Sequence, residues 1–236
     1  MAVALVSPQT FEACKQAAGV AGNIFAFGLF ISPIPTFQRI IRNRSTEQFS
    51  GMPYIYALMN CLICAWYGTP FISSDNILVT TVNSAGAVFQ LTYIIIYISC
   101  AEKRKKFNMS ALLLAVFGVF AVIVIGSLLV TDLEVRHLLI GFLSCATLIS
   151  MFASPLSVMN LVIQTKSVEF MPFYLSLSTF LMSTAFMLYG IFNFDAFIYV
   201  PNGIGTILGI AQLVLYFYYH DKSRLENREP LIESIA

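Results

Sequence analysis

Two asparagines, Asn83 and Asn202, stand deep inside apolar stretches of this 236-residue chain. Each side-chain amide offers both donors and acceptors, the combination that the hydroxyls of a neutral solute require. A buried Asn also has a purely structural use, joining transmembrane helices at about 0.6 kcal/mol on average. The charged chemistry lies elsewhere: all 12 acidic residues fall in loops, tails or helix ends. No carboxylate is therefore expected at depth, where coupling to protons or sodium usually places one. Cys61 and Cys64 form a C-x-x-C within an apolar run that has no second ligand pair, a pattern that predicts packing residues and no metal site. His137 and His220 sit at helix ends, and no set of His, Cys and carboxylate converges, so neither an enzyme nor a bound cofactor is expected.

The elements that must position these residues follow from composition. Apolar residues make up 58% of the chain and charged residues 11%, against roughly 45–50% and about 25% in soluble domains. So little charge cannot cover a globular surface, and a net charge of +1 gives nucleic acid no footing. Seven stretches, 16–41, 53–72, 76–100, 110–130, 137–163, 171–192 and 196–219, have the roughly 20 apolar residues needed to cross a bilayer. Of the 13 basic residues, all but Lys15 and Arg136 fall on one side of these spans. The positive-inside rule makes that side cytosolic, with the N-terminus extracellular or lumenal and the C-terminus cytosolic. The N-terminus lacks a basic region followed by an apolar core and cleavage site, so the first helix is expected to be retained.

The chain repeats itself. SPIPTFQRIIRNRSTEQFSGMPYIY from Ser32 parallels SPLSVMNLVIQTKSVEFMPFYL from Ser154, Tyr67-Gly68 parallels Tyr189-Gly190, and Asn83 parallels Asn202. Three helices are thus duplicated around one linker helix. An odd intervening helix gives both triplets the same direction, so the repeat is parallel, with a pseudo-two-fold axis along the membrane normal. The expected architecture is an all-α membrane protein of seven transmembrane helices, two three-helix bundles joined by a linker (3+1+3). Its expected units are 12–100, linker 101–135, 136–220, and a short cytosolic tail 221–236.

Matched prolines punctuate both triplets: Pro33 and Pro155 within helices 1 and 5, where each breaks a backbone hydrogen bond, and Pro53 and Pro172 at the starts of helices 2 and 6. Trp66 and Phe186, near the ends of helices 2 and 6, could stack on the CH face of a sugar, although most of the 21 Phe and 11 Tyr serve lipid contact. Gly19, Gly22, Gly205 and Gly209 suit close helix packing, within the chain or between chains.

At STEQFSGMPY, CAWYGTPF, KSVEFMP and YVPNGIG the sequence resembles the SWEET (MtN3/saliva) family of eukaryotic sugar facilitators, over roughly residues 12–222. SWEETs are themselves a standard example of parallel repeats, so the repeat and the resemblance are not independent. The resemblance implies a bidirectional, passive sugar uniporter working by alternating access, with Asn83 and Asn202 contacting the sugar. It further places Cys64 and Phe186 in the pocket, where many members carry Ser and Trp. Pro33, Pro53, Pro155 and Pro172 become a flexing tetrad on the cytosolic side, and Tyr67 and Asp195 belong to the opposite gate. The wording of STEQFSGMPY and CAWYG is similar to the first plant clade, which implies glucose or another hexose over sucrose, a vacuolar or plasma membrane, and homo-oligomers of complete carriers. Two other readings compete: a proton-coupled PQ-loop exporter of another small solute, and a seven-helix receptor, which an internal triplet repeat disfavours.

Overall fold

The computed structural model describes residues 7–169 and 171–226, with side chains described as far as His220. All its regular structure is helical: α1 (Pro8–Ile31), α2 (Ile34–Asn43), α3 (Met52–Tyr67), α4 (Ile77–Cys100), α5 (Lys103–Leu129), α6 (Leu133–Met151), α7 (Ala153–Thr165), α8 (Phe173–Phe192) and α9 (Ala196–Glu226). The first and fifth spans are each divided in two, which turns seven crossings into nine helices. Six of the crossings are long and apolar enough to span a bilayer. The remaining one, α3, has 16 residues, about 24 Å of helix.

The divided spans show what proline does here. Pro33 was expected inside a helix; it occupies the break itself, as the residue preceding α2. Its missing N–H leaves the Leu29 carbonyl without the usual partner. The Ser32 backbone N–H at 3.3 Å and hydroxyl at 2.9 Å donate to that carbonyl instead. Pro155 falls in the first turn of α7, and α6 ends at Met151, the residue whose carbonyl the Pro155 ring would strike. Inside α9, Pro201 likewise frees the Phe197 carbonyl, and the Cys145 thiol of α6 donates to it at 3.3 Å. Matched residues also end the inner halves: Arg44 after α2 and Lys166 after α7 both adopt the left-handed conformation (φ 47° and 54°).

Helix 2, expected to reach residue 72, stops at Tyr67 because Gly68-Thr69-Pro70 turns the chain. The turn needs glycine. A Cβ on Gly68 would lie 2.6 Å from Thr80 Oγ1, 2.7 Å from Thr80 N and 2.8 Å from the Asn76 carbonyl. At the other end of the chain, α9 continues through Glu226, past the expected boundary at 220, and residues 227–236 of the expected tail lie outside the described residues, as does Phe170.

Packing follows the repeat. Within the units, α3 lies along α4 and α8 along α9; between them, α1 lies along α8 and α3 along α6, two contacts that the pseudo-symmetry exchanges. Gly19 and Gly22 let α1 approach the rings of Tyr189 and Phe186, while Gly205 and Gly209 receive Ser183 and Phe180 of α8. All four small residues therefore serve contacts within one chain. The linker α5 packs on α3, α4 and α6 and presents Leu114, Val122 and Leu129 outward, more than 70% exposed, as a lipid-facing helix requires. The inner halves α2 and α7 pack chiefly within their own units, α2 on α4 and, through Phe37 on Tyr54, on α3, and α7 on α6 and α9. The two units are thus joined through α1, α3, α6 and α8 and are separate along α2 and α7. A cavity between them reaches toward that second end as far as Phe30, Gln90 and Met151; the same end carries Arg39, Arg42, Lys103 and Lys106 and is called the basic end below.

Candidate functional site: a cavity between the two units

One cavity of about 240 Å³ lies between the units, lined by residues of α1, α3, α4, α6, α8 and α9. Asn83, Asn202, Cys64 and Phe186 all line it. Those four positions come from two matched pairs, for the spacing between Tyr67 and Tyr189 also separates Cys64 from Phe186. Drug-sized ligands occupy roughly 300–1,000 Å³, so this space suits a smaller solute.

The two asparagines are held identically. Asn83 Nδ2 donates to the Val79 carbonyl at 2.9 Å, and Asn202 Nδ2 donates to the Ile198 carbonyl at 2.8 Å, each one turn back in its own helix. Neither is hydrogen-bonded across helices, so the structure gives no sign of the structural use. One N–H and the carbonyl oxygen of each amide are left for a ligand. Cys64 donates its thiol to Asn60 Oδ1 at 3.6 Å. Phe186 is 6% exposed and reaches the cavity over Gly22, where a Cβ would sit 2.7 Å from the ring. Among the described residues, no Asp, Glu, Lys, Arg or His lines the cavity. Its wall combines apolar surface with neutral amides, the thiols of Cys61 and Cys64, and the side chains of Tyr67 and Ser144.

Trp66 is not part of this wall. Two residues beyond Cys64, it lies about 200° further round the helix. Its indole N–H donates to Ser127 Oγ of the linker at 3.0 Å and its ring stacks on Phe71 at 5.9 Å. Phe186 is left as the expected stacking ring that does face the cavity.

At the end of the cavity opposite the basic end, Tyr67 of the wall belongs to a hydrogen-bonded cluster that joins the two units, called the latch below. The Tyr67 hydroxyl donates to Asp195 Oδ2 at 2.6 Å, and Asn76 Nδ2 donates to the same oxygen at 2.6 Å. Because Tyr67 spends its proton on Asp195, the 2.8 Å contact between its oxygen and His137 Nε2 makes Nε2 the donating nitrogen. Asp195 Oδ1 accepts the Phe197 N–H at 3.0 Å and so caps α9. A second set runs the other way: the Tyr189 hydroxyl donates to the Asp75 carbonyl at 2.8 Å, and Asn193 Nδ2 to Asn76 Oδ1 at 2.8 Å. Sequence reasoning named Tyr67 and Asp195 and missed Asn76, Tyr189, His137 and Asn193. The repeat held the signal for two of them, since Tyr189 is the mate of Tyr67 and the spacing from Asn83 to Asn202 carries Asn76 onto Asp195.

Toward the basic end, Pro155 and Pro172 line one small cavity of about 130 Å³ with Met171, Ser176 and Gln212. Pro33 and Pro53 occupy the corresponding break and first turn of the first unit. In the loop after α2, Glu47 takes a two-pronged contact from Arg39 at 3.0 and 2.6 Å and a third bond from Asn43 at 2.7 Å. The Arg39 guanidinium first, and the Asn43 amide second, hold the Glu47 carboxyl below its ordinary pKa.

A membrane-spanning pair of like units around a central cavity that carries matched amides on a mostly apolar wall is the architecture of a small-solute transporter. The chain belongs to the SWEET (MtN3/saliva) family: the family's sequence pattern, described as sugar efflux transporter for intercellular exchange, matches it twice, over residues 16–105 and 138–224. It is 68% identical over 222 residues to the bidirectional sugar transporter SWEET2 of Arabidopsis thaliana, covering 94% of both chains. With SWEET2a of Sorghum bicolor it shares 62% identity, over 93% of this chain and 90% of that one. SWEET1a of Oryza sativa subsp. japonica is 50% identical over 86% of this chain and 74% of its own length. The fold superimposes on a solved eukaryotic SWEET transporter with a TM-score of 0.88 at 52% identity, covering 89% of this chain and 99% of that one.

Proposed function

We propose that this protein is a bidirectional passive uniporter for a sugar, glucose or another hexose, working by alternating access. The observation that carries the reading is the matched amide pair: Asn83 and Asn202 line one cavity from opposite units, each with an uncommitted oxygen and N–H. Phe186 supplies a flat apolar face for the CH side of the ring, and Cys64 a weak donor. Among the described residues no Asp, Glu, Lys, Arg or His lines the cavity, which favours the uniporter over the proton-coupled exporter. The names of the relatives, bidirectional sugar transporters, agree with this reading.

In the alternating cycle the Tyr67–Asp195 latch closes the extracellular or lumenal side while the basic end opens to the cytosol. Opening of the latch accompanies closure along α2 and α7, with Pro33, Pro53, Pro155 and Pro172 as the bending points. The N-terminus lies outside or in the lumen and the C-terminus in the cytosol, in a vacuolar or plasma membrane, with complete carriers assembled as homo-oligomers. The test is flux of radiolabelled glucose and sucrose into proteoliposomes with and without a pH gradient. Glucose uptake that is indifferent to the gradient and abolished by Asn83→Ala or Asn202→Ala supports the proposal; uptake only with a gradient refutes it in favour of the exporter.

A further inference from the structure

Among the described residues, one buried side-chain oxygen lacks a hydrogen-bond partner: Oε1 of Gln90. The residue is 9% exposed and lines the same cavity as the asparagine pair. An amide oxygen buried without a partner carries a desolvation cost that a packing residue such as Leu would not. On α4, Gln90 stands seven residues after Asn83, so it shares the same helix face about 10.5 Å nearer the basic end. Opposite it, Asn60 of α3 is 7% exposed and also lines the cavity. Its oxygen accepts the Cys64 thiol, which leaves its amide N–H groups uncommitted. The two helices run antiparallel with Cys61 level with Gly86, where a glycine Cβ would lie 2.9 Å from Sγ. Asn60 therefore stands between the levels of Asn83 and Gln90. An unspent acceptor and unspent donors thus mark the cavity wall from its centre toward the basic end.

We propose that Gln90, with Asn60, forms a second sugar-binding station between the Asn83–Asn202 pair and the basic end, and that Gln90 Oε1 accepts a hydrogen bond from a sugar hydroxyl there. The inference rests on the reading of this cavity as a sugar path. Its physical role is to replace water on the hydroxyls in stages, so that a solute bound at the centre is weakly held again before it leaves, as multi-site pores require.

The test compares wild type with Gln90→Leu and Gln90→Met in proteoliposomes, using glucose and a set of monodeoxyglucoses, alongside thermal unfolding of the same preparations. Removing an unpartnered buried oxygen leaves the melting temperature unchanged or raised. Losing one neutral hydrogen bond to the passing sugar slows glucose flux about three- to ten-fold. One deoxyglucose, lacking the hydroxyl that Gln90 receives, moves equally fast through wild type and variants. Wild-type flux of every sugar in both variants overturns the second station and leaves the uniporter reading intact. Variants that melt earlier and slow every sugar equally also overturn it, because Gln90 is then a structural group. Absence of glucose flux in the wild type itself fails the underlying reading and the station with it.

Discussion

Removing the Tyr67 hydroxyl should open the latched end. In the structure that hydroxyl donates to Asp195 at 2.6 Å and accepts from His137 at 2.8 Å, joining α3 of the first unit to the start of α9 and to α6. A hydrogen bond to a charged acceptor contributes about 1.5–3 kcal/mol. Asn76 and the Phe197 N–H still hold Asp195 after the change, so the lower end of that range applies. About 1.4 kcal/mol is a tenfold shift in an equilibrium. Tyr67→Phe, which keeps the ring and its packing, is therefore expected to raise the fraction of molecules open at this end about tenfold. Native thiols report it, since Cys61 and Cys64 both line the cavity. Vesicles with the latch end outward are treated with a membrane-impermeant thiol reagent, and peptide-resolved mass spectrometry separates these two sites from Cys14, Cys100 and Cys145. The labelling rate of the cavity thiols should rise about tenfold while that of exposed Cys14 stays constant. An unchanged cavity rate in a folded Tyr67→Phe protein would refute the latch.

Three further outcomes follow from the same geometry. Gly68→Ala sets a methyl group against backbone atoms of Thr80 and Asn76; overpacking of this kind costs about 1–3 kcal/mol, read as a lowered melting temperature that alanine at the open position Gly118 does not produce. Pro155→Ala restores an N–H able to donate to Met151 and lets α6 run into α7, so glucose flux should fall while thermal stability is kept or gained. Glu47 has a folded-state pKa below its unfolded value near 4.3. Its contribution is therefore present above about pH 4.3 and lost as pH falls through the lower folded value; Glu47→Gln should flatten that acid limb of stability measured between pH 6 and 3.

The seven crossings, their duplication and the matched asparagines were legible because hydropathy and repeated wording survive without coordinates. Span limits were less so. Whether Pro33 bends or interrupts a helix depends on who receives the freed Leu29 carbonyl, and Ser32 answers that only in three dimensions. Trp66 was offered as a stacking ring on residue type alone, but its place round α3 turns it to the linker. The latch was half visible: applying the repeat spacing to Tyr67 and Asp195 would have found Tyr189 and Asn76. His137 has no such mate to betray it. Gln90 reads as one more polar residue in a helix until burial leaves its oxygen alone.

The most direct test of the central claim is glucose counterflow in proteoliposomes loaded with unlabelled glucose and diluted into a trace of labelled glucose, with no ion or pH gradient. A passive carrier with one site exposed alternately to each side accumulates label transiently above equilibrium and then releases it, and Asn202→Ala abolishes the overshoot. Absence of an overshoot in the wild type, or one that survives loss of both Asn83 and Asn202, would contradict the account.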